Sequence, residues 1–247
     1  MKPKAQTLFH FTKSADVVEK ILVDGFWPRY SLEDFRWQVV GATDHDFAAF
    51  PMVSFCDIPL SRIDEHVDFY GHYGVGLARA WGEQAGLNPL LYMTGTNSLA
   101  KSLVELANVS RRHNPEDSAF AARLLHYTAS FIKPVSGQMT IGTEKSEKDF
   151  YQESEWRYVP NHRDVPQFLS RSQFMDGESR DSANQKTRDI AMLTFSPADV
   201  RYIFVRFDSE IPAMIDFIQS KLDMHSSADI KVLMSRVTSL ETVQSDW

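Results

Sequence analysis

Apolar and polar residues alternate in several short stretches of this chain, and elsewhere the apolar residues recur every three or four positions. Alternation together with aromatic and β-branched residues predicts strands at 7–12, 50–59 and 149–159. Helical spacing of valine, isoleucine and leucine follows the first strand, with Ser14 as the expected N-cap and Gly25 as the end of the helix. Helices and strands are therefore interleaved along the sequence.

The later part of the chain contains two stretches of different character. Leucine and phenylalanine recur at helical spacing over 96–132, with a break at Asn114-Pro115, which predicts a helical hairpin inserted between strands. Residues 170–189 are polar and poor in apolar side chains, which favours a surface loop. Two strands (AMLTF and 201–207), a helix at 209–222 and a last strand at 230–237 are predicted to follow. The fold class is therefore α+β, with one mixed sheet whose strands lie far apart in sequence.

Composition and charge narrow the class of protein. The chain has 247 residues, 43% of them hydrophobic, which is enough for one sizeable core. A net charge of −7 gives no reason to expect a surface coated by nucleic acid or anionic lipid. The single cysteine, Cys56, cannot form an internal disulfide, and the N-terminal MKPKAQTLFHF lacks the apolar region of a signal peptide. Because no apolar run approaches about 18 residues, we expect a cytoplasmic protein without membrane association.

Two neighbouring glutamates raise the first question of function. In a single strand, Glu153, Glu155 and Arg157 project from the same face, while Trp156 and Tyr158 lie on the other face and are expected in the core. The charged row is either a solvated sheet face or the floor of a reaction cleft. The pattern itself leaves both possibilities open.

Other residue types that support chemistry are scattered. His10 lies in the first predicted strand and Ser54 in the second, where each is either a satisfied structural group or part of a site. Tyr70 and Tyr73 stand in a glycine-rich segment, FYGHYGVG, which permits either a tight turn leading into a helix or the close approach of a ligand. The eight histidines lack metal-binding spacing and one cysteine cannot build a thiolate site, so no metal is predicted.

Several longer segments carry a resemblance to a known family. The segments are LFHFT, ILVDGFWPRYSLEDFRW, FPMVSFCDIPLSRIDEH, FYGHYGVGLARAWG, GLNPLLY and ESEWRY. They are similar to the AbiGi-type abortive-infection proteins of bacteria, and the similarity is most specific between residues 25 and 92. The resemblance implies a role in phage defence, and the family has been labelled an antitoxin.

A more distant resemblance concerns the order of the candidate residues. A histidine on the first strand, aromatic residues after the second and a late Glu-x-Glu are similar to the layout of ADP-ribosyltransferases of the DarT type. This resemblance implies a single domain over 1–247, with an ADP-ribosyltransferase-like split sheet, flanking helices and NAD as the substrate. The chain departs from that layout because it has no Ser-Thr-Ser element. The residues implied are His10, Thr12, Ser54, Tyr70 and Tyr73 for binding NAD, and Glu155 and Glu153 for catalysis.

The roles of these residues follow from the chemistry of breaking the nicotinamide bond. Positive charge develops on the ribose carbon, so a carboxylate such as Glu155 would stabilise the transition state, with Glu153 acting on the acceptor. The pyrophosphate needs cationic donors, for which Arg29 and Arg62 are the candidates. Arg157 could instead tether either carboxylate.

An acceptor and a cellular partner complete this hypothesis. The basic stretches 111–113 and 161–174 could contact phosphates, which favours a nucleic acid, RNA or DNA, over a protein as the acceptor. The alternative is that these stretches are a solvated helix end and a loop. A toxin of this kind implies a cognate antitoxin as its partner, alone or with a chaperone.

Two hypotheses of function therefore stand side by side. In the first, the chain is a phage-defence toxin that transfers ADP-ribose from NAD to a macromolecule. In the second, it is a catalytically inactive antitoxin or binding module of an abortive-infection system. Only the enzyme requires His10, a tyrosine and Glu155 to line one pocket of NAD size. A metal-dependent nuclease is disfavoured, because no acidic and histidine residues have metal-binding spacing.

Overall fold

The structure is a computed structural model, and it describes residues 6–37, 46–95, 97–110, 114–141 and 144–245. The strands are β1 (Thr7–Thr12), β2 (Arg29–Asp34), β3 (Phe47–Cys56), β4 (Tyr73–Ala78), β5 (Asn88–Pro89), β6 (Leu91–Met93), β7 (Ile132–Pro134), β8 (Ser136–Ile141), β9 (Glu144–Asp149), β10 (Glu155–Tyr158), β11 (Leu169–Ser170), β12 (Val200–Val205) and β13 (Val237–Ser239). The helices are α1 (Ala15–Asp24), α2 (Asp64–Tyr70), α3 (Arg79–Gln84), α4 (Ser98–Ser110), α5 (Pro115–Ala129), α6 (Arg171–Met175), α7 (Gly177–Ile190), α8 (Ile211–Lys221), α9 (Ser227–Met234) and α10 (Leu240–Ser245). Short 3₁₀ helices span Leu60–Arg62, Phe150–Glu153, Pro197–Asp199 and Asp208–Glu210.

The chain divides into two compact units, each assembled from segments that are distant in sequence. The first unit comprises Met1–Trp27, Ser54–Asn88 and Met192–Trp247, and the second comprises Pro28–Val53 and Pro89–Ala191. The predicted α+β class is confirmed, because helices and strands occur in both units. The expectation of a single domain over the whole chain stays a prediction.

A mixed sheet forms the centre of the first unit. Strand β1 pairs antiparallel with β4, and β4 pairs antiparallel with β12. Strand β13 then pairs with β12 in parallel, which makes the sheet mixed, as the sequence predicts. These strands come from both ends of the chain, so the sheet forms only when segments that are distant in sequence pair with one another.

Alternation along β1 decides which side chains enter the core of the first unit. Phe9 and Phe11 lie on one face of the strand, within an apolar cluster, and His10 lies between them on the other face. Burying each aromatic ring stabilises the unit by roughly 1.5–3 kcal/mol. The buried residues of this cluster are Phe9, Phe11, Cys56, Ile58, Ile63, Val67, Phe204 and Leu240.

The glycines of the FYGHYGVG segment serve the packing of β4 on β1. Gly74 lies opposite Phe11 and Gly76 lies opposite Phe9 in the antiparallel pair. A Cβ atom would stand 2.7 Å from the Phe11 ring at Gly74 and 2.9 Å from the Phe9 ring at Gly76, so any side chain there would displace an aromatic ring. The prediction of a turn is therefore wrong, because Tyr73 begins a strand, whereas the helix expected after it is present as α3.

The second unit contains the predicted helical hairpin. Helices α4 and α5 lie between strands β6 and β7 and pack against each other. The Asn114 side chain caps α5 by accepting a hydrogen bond from the backbone N–H of Asp117 at 3.0 Å, and Pro115 occupies the first turn. The break at Asn114-Pro115 therefore starts the second of the two predicted helices.

Residues 170–189 are helical, and the prediction of a surface loop is wrong. Ser170 caps α6 in a capping box with Gln173, and Asp176 caps α7 by accepting from the backbone N–H of Ser179. The buried stripe of α7 consists of Ala183, Asn184 and Thr187, which are small or polar.

Hydrogen bonds replace apolar contacts on this stripe. The Asn184 amide oxygen accepts from the backbone N–H of Tyr30 at 2.9 Å, and the Thr187 hydroxyl donates to the carbonyl of Pro28 at 2.5 Å. A helix fixed in this way lacks the apolar periodicity that predicts a helix from sequence.

The last predicted strand is also corrected. Most of 230–237 belongs to helix α9, whose N-cap Ser226 accepts a hydrogen bond from the backbone N–H of Asp229 at 3.1 Å. Strand β13 begins only at Val237. The apolar run IKVLM is short enough to fit either element, and the serine cap upstream decides in favour of a helix.

Candidate functional site

The two glutamates of the predicted charged row do not lie in one strand. Residues Phe150–Glu153 form a 3₁₀ turn, and Ser154 takes the left-handed conformation with φ of 44°. Strand β10 begins at Glu155, so only Glu155 and Arg157 share a strand face. The prediction of one strand over 149–159 is therefore wrong at its start.

A lysine from a neighbouring strand joins the two glutamates. The Lys133 ammonium group, on β7, donates to Glu153 Oε2 at 2.9 Å and to Glu155 Oε2 at 2.8 Å. It also lies over the ring of Phe150, 4.5 Å from the centroid. The left-handed bend at Ser154 is what leaves both carboxylates within reach of one cation.

Arg157 binds the opposite side of Glu155. Its Nε donates to Glu155 Oε1 at 2.6 Å, and its Nη2 donates to Glu33 Oε1 at 2.7 Å. The remaining Nη1 donates to the backbone carbonyl of Ser130 at 2.7 Å. The guanidinium group thus connects β10 with β2 and with the end of α5.

Two further groups complete the arrangement. Lys148, on β9, pairs with Glu153 Oε1 at 2.6 Å, and the Tyr92 hydroxyl accepts from the backbone N–H of Glu155 at 2.8 Å. All four oxygens of Glu153 and Glu155 therefore lie within 2.9 Å of a cationic nitrogen. We refer to Glu33, Lys133, Lys148, Glu153, Glu155 and Arg157 as the buried ion-pair network.

Burial excludes the interpretation of a solvated sheet face. Glu153 is 5%, Glu155 6% and Arg157 1% exposed. The three carboxylates of the network match its three cations, so the buried group carries no net charge. The prediction that Trp156 is turned into the core is confirmed, because Trp156 is buried, while Tyr158 is half-buried.

Ionisation within the network follows from its charges. Burial by itself would raise the pKa of Glu155, but Arg157 and Lys133 outweigh it and hold that pKa well below its usual range. The carboxylates likewise keep the pKa of Lys133 and of Arg157 above their usual values in spite of burial. Burial raises the pKa of Tyr92 to about 12. Glu155, Lys133 and Arg157 are therefore ionised near neutral pH, and Glu155 is not available as a general acid.

His10 and Ser54 make contact in the first unit, but through a backbone group. His10 Nδ1 donates to the carbonyl of Ser54 at 2.8 Å, and its ring packs between Phe26 and Phe55 with centroids 5.2 and 5.7 Å away. Burial lowers the pKa of His10, although the hydrogen bond opposes that shift. His10 is therefore a neutral imidazole near neutral pH, held in one tautomer by a carbonyl oxygen.

The two tyrosines are engaged in different ways. Tyr70 ends α2 and packs against the core of the first unit, with its ring 4.5 Å from that of His66. The Tyr73 hydroxyl donates to Glu210 Oε1 at 2.7 Å. Partial burial and the Glu210 carboxylate raise the pKa of Tyr73. Both rings thus have structural contacts inside the first unit.

The predicted site residues are divided between the two units. His10, Thr12, Ser54, Arg62, Tyr70 and Tyr73 belong to the first unit, and Arg29, Glu153 and Glu155 belong to the second. The two candidate arginines are exposed, Arg29 on β2 and Arg62 in a 3₁₀ turn. That these residues line one pocket stays a prediction.

That the stretches 111–113 and 161–174 contact phosphates stays a prediction. The stretch 111–113 lies outside the described residues. Within 161–174, Arg171 stacks on Phe47, 4.5 Å from the ring centroid, and Arg36 lies 4.8 Å from the same centroid. Asp34 pairs with Arg36 at 2.5 Å, so this part of the surface carries both signs of charge.

Four members of the site were missed from the sequence: Lys133, Lys148, Glu33 and Tyr92. Lys133 could have been found from the sequence, because it lies inside the apolar run FIKPV. A lysine in such a run is either exposed to solvent or paired with a buried carboxylate. Glu33 and Lys148 lie in charged segments and carry no such signal.

In the described part of the chain, no group of three or more histidine, cysteine, aspartate and glutamate side chains is placed to hold a metal ion. Among the same residues, no helix combines the length and the apolar character needed to cross a membrane.

Taken together, the fold and the site define an α+β protein whose paired glutamates belong to an internal, charge-balanced network. The chain belongs to the AbiGi family: the family profile described as "Putative abortive phage resistance protein AbiGi, antitoxin" matches residues 26–206, which include the whole network. The resemblance inferred from the sequence is thereby confirmed at the level of the family.

A relative extends the match over most of the chain. The abortive phage resistance protein AbiGi of Lactococcus lactis subsp. cremoris is 26% identical over 250 residues, covering 90% of this chain and 99% of that protein. No solved structure matches the chain. The ADP-ribosyltransferase-like fold therefore stays a prediction.

Proposed function

We propose that this chain is the antitoxin of an abortive-infection system against phage, and that it acts by binding a toxin protein. The family description includes the word antitoxin, and the relative from Lactococcus lactis is named for abortive phage resistance. The observation that carries the choice between catalysis and binding is the engagement of all four glutamate oxygens by cations.

Catalysis of ADP-ribosyl transfer would require the Glu155 carboxylate to be free to contact the substrate. The carboxylate would contact the ribose hydroxyl and stabilise positive charge as it develops in the substrate. In this chain each oxygen of Glu155 already faces a cation at 2.6 or 2.8 Å. Freeing one oxygen would break a buried ion pair and leave Arg157 with Glu33, or Lys133 with Glu153, as its remaining carboxylate partner.

A binding role makes use of the same network. The network ties β2, β7, β9 and β10 to one another through charged side chains. Such cross-links hold a surface in one shape, and a preorganised surface loses less entropy when a partner binds. The predicted partner is accordingly a toxin protein, in place of the antitoxin that the transferase hypothesis requires.

Growth of the host cell distinguishes the two hypotheses. Expression of this chain alone is expected to leave growth unchanged. Deletion of its gene from the native locus is expected to arrest growth, and supply of the chain from a plasmid is expected to restore it. Growth arrest caused by the chain alone would overturn the proposal and favour the toxin.

The transferase hypothesis has its own test, which needs matched variants. The chain is incubated with labelled NAD and cell extract, and nicotinamide release and labelled macromolecules are measured. Glu155→Gln and Arg157→Gln break the same ion pair, and Arg157→Gln also removes the contact with Glu33, so circular dichroism is used to check that each variant is folded. Label that Glu155→Gln abolishes and Arg157→Gln retains would show catalysis by the carboxylate and contradict a purely binding role.

A further inference from the structure

Helix α7 is attached to the rest of the second unit without a large apolar side chain. Three of its 14 residues are buried, namely Ala183, Asn184 and Thr187, and the other side chains are half-buried or exposed. Its one large apolar residue, Ile190, is 47% exposed. The burial of apolar surface is the main favourable contribution to tertiary structure, so it holds this helix only weakly.

Two helices of similar length, α1 and α8, are attached by apolar side chains. Helix α1 has 10 residues and buries Val18, Ile21 and Leu22. Helix α8 has 11 residues and buries Met214 and Ile218. A buried side chain of this size removes far more apolar surface from water than an alanine does. Helix α7 is thus the longest of the three, and it lacks a buried apolar side chain larger than alanine.

Hydrogen bonds to the backbone of β2 and of the residue before it fix the buried stripe of α7. The N–H of Tyr30 donates to Asn184 Oδ1 at 2.9 Å, and the Thr187 hydroxyl donates to the carbonyl of Pro28 at 2.5 Å. A hydrogen bond of this kind is exchanged for bonds to water when the two groups separate, so its net contribution to stability is modest. The contacts that fix α7 are therefore ones that water can replace.

The two backbone groups that α7 binds belong to the outer edge of β2. Among the described strands, β2 pairs with β3 alone. Alternate residues of an antiparallel strand direct their N–H and C=O groups away from the partner strand, and Tyr30 is one of them, because its N–H donates to Asn184. An uncovered strand edge pairs readily with strands of other chains. Helix α7 therefore closes this edge at Pro28 and Tyr30 by means of side chains.

The segments on both sides of α7 are fixed by contacts of their own. Phe174, on α6, precedes α7 and packs against the cluster that contains Tyr30 and Leu169. Leu193 follows α7 and exchanges two backbone hydrogen bonds with Phe26, at 2.8 and 2.9 Å. A detached α7 would therefore stay tethered at both ends and could close again in the same position.

We propose that α7 is a reversible cover of the β2 edge, which detaches and unfolds locally while the strands of the protein stay folded. A helix of 14 residues is marginally stable in water once it has left its neighbours, so detachment and unfolding form one event. Segments with few buried apolar contacts open at a lower free energy than the core does. The closed state keeps the edge from pairing with other chains, and the open state releases the N–H of Tyr30 and the carbonyl of Pro28.

Hydrogen exchange of single amides in the full chain, followed by nuclear magnetic resonance, tests the proposal. Tyr30 is the decisive residue, because its amide lies in a strand but donates to α7. We expect the Tyr30 amide to exchange together with those of α7, and at least about tenfold faster than the amides of α1. Ser31 is the matched control, since its amide faces β3 and should exchange with the strands. A Tyr30 amide that exchanges as slowly as the Ser31 amide overturns the proposal.

Removal of one hydroxyl group should favour the open state. Thr187→Val keeps the branched shape but takes this donor away from the carbonyl of Pro28, so it should raise the equilibrium constant for opening about tenfold. Thr128→Val is the control, because the exposed Thr128 hydroxyl donates to the carbonyl of Leu124 within α5. The control should leave the exchange of α7 unchanged. Circular dichroism shows whether each variant is folded.

Trypsin provides a second measurement on the folded chain. Arg180, Lys186 and Arg188 lie inside α7, and cleavage there requires the helix to unfold locally. The rate of cleavage at these three sites, followed by mass spectrometry, should rise about tenfold in Thr187→Val and stay the same in Thr128→Val. Equal cleavage rates for Thr187→Val and the original chain, or α7 amides that exchange only as fast as those of α1, overturn the proposal.

Discussion

The buried ion-pair network of the second unit and the His10 environment of the first unit hold polar side chains in opposite ways. The network keeps Glu155 and Arg157 charged by pairing them at 2.6 Å. His10 instead lies among aromatic rings with one carbonyl partner, and burial keeps it neutral. Internal charge is thus tolerated only where a countercharge arrives from another element. The stability of the network should therefore depend on its countercharges, whereas the stability around His10 should depend on whether His10 gains a proton.

Arg157→Met is expected to have the largest effect on stability. It leaves Glu155 with one cation fewer and removes the partner of Glu33, so the free energy of unfolding should fall by about 3–5 kcal/mol. Urea-induced unfolding measures the change. Arg62→Met, in an exposed 3₁₀ turn, is the control and should unfold close to the original chain. A similarly small change for Arg157→Met would show that the network is dispensable.

The two lysines of the network should differ from each other. Lys133 contacts both Glu153 and Glu155, so Lys133→Met should cost about 3 kcal/mol, in the range for breaking a buried pair. Lys148 contacts Glu153 at the edge of the network, and Lys148→Met should cost about 1 kcal/mol, near the value for an exposed pair. Unfolding curves of the two variants under identical conditions provide the measurement. Equal losses of unfolding free energy would show that the contribution of each lysine does not depend on how deeply it is buried.

The smallest expected effect concerns pH. Because the pKa of His10 is lowered in the folded state, the unfolded chain binds the proton more readily, and stability falls as the pH drops below about 6.5. Glu155 also has a lowered pKa, so its contribution is lost only further down, below about 4.3. His10→Asn keeps a side-chain donor but does not titrate. Its stability between pH 7 and 5 should be flatter than that of the original chain; parallel curves would exclude His10 as the group responsible.

The sequence predicted those elements whose apolar residues do the packing. Phe9 and Phe11 alternate with His10, and this pattern predicts both β1 and the separation of its faces. The break at Asn114-Pro115 likewise predicts the hairpin correctly. Helix α7 escaped prediction because Asn184 and Thr187 fix it by hydrogen bonds to the backbone of β2 and the residue before it.

The candidate site was predicted in part for a similar reason. Glu155 and Arg157 share a face because of strand geometry, which the sequence contains. Lys133 lies on β7, more than twenty residues before Glu155 in the sequence. The position of Glu153 depends on the left-handed conformation of Ser154. A non-glycine residue with positive φ leaves no regular trace in a sequence. The charge-balanced nature of the site could be recognised only when these segments were seen together.

The composition of the first core has a consequence for synthesis on the ribosome. Its cluster joins Phe9, near the start of the chain, to Phe204 and Leu240. The ring of Phe9 therefore emerges from the ribosome long before its permanent neighbours exist, at elongation rates of about 5–20 residues per second. The nascent chain passes through a period of roughly ten seconds or more in which aromatic residues of β1 lack their final cover. Contacts of such long sequence separation also close slowly, so this core is completed only after Phe204 and Leu240 have left the exit tunnel.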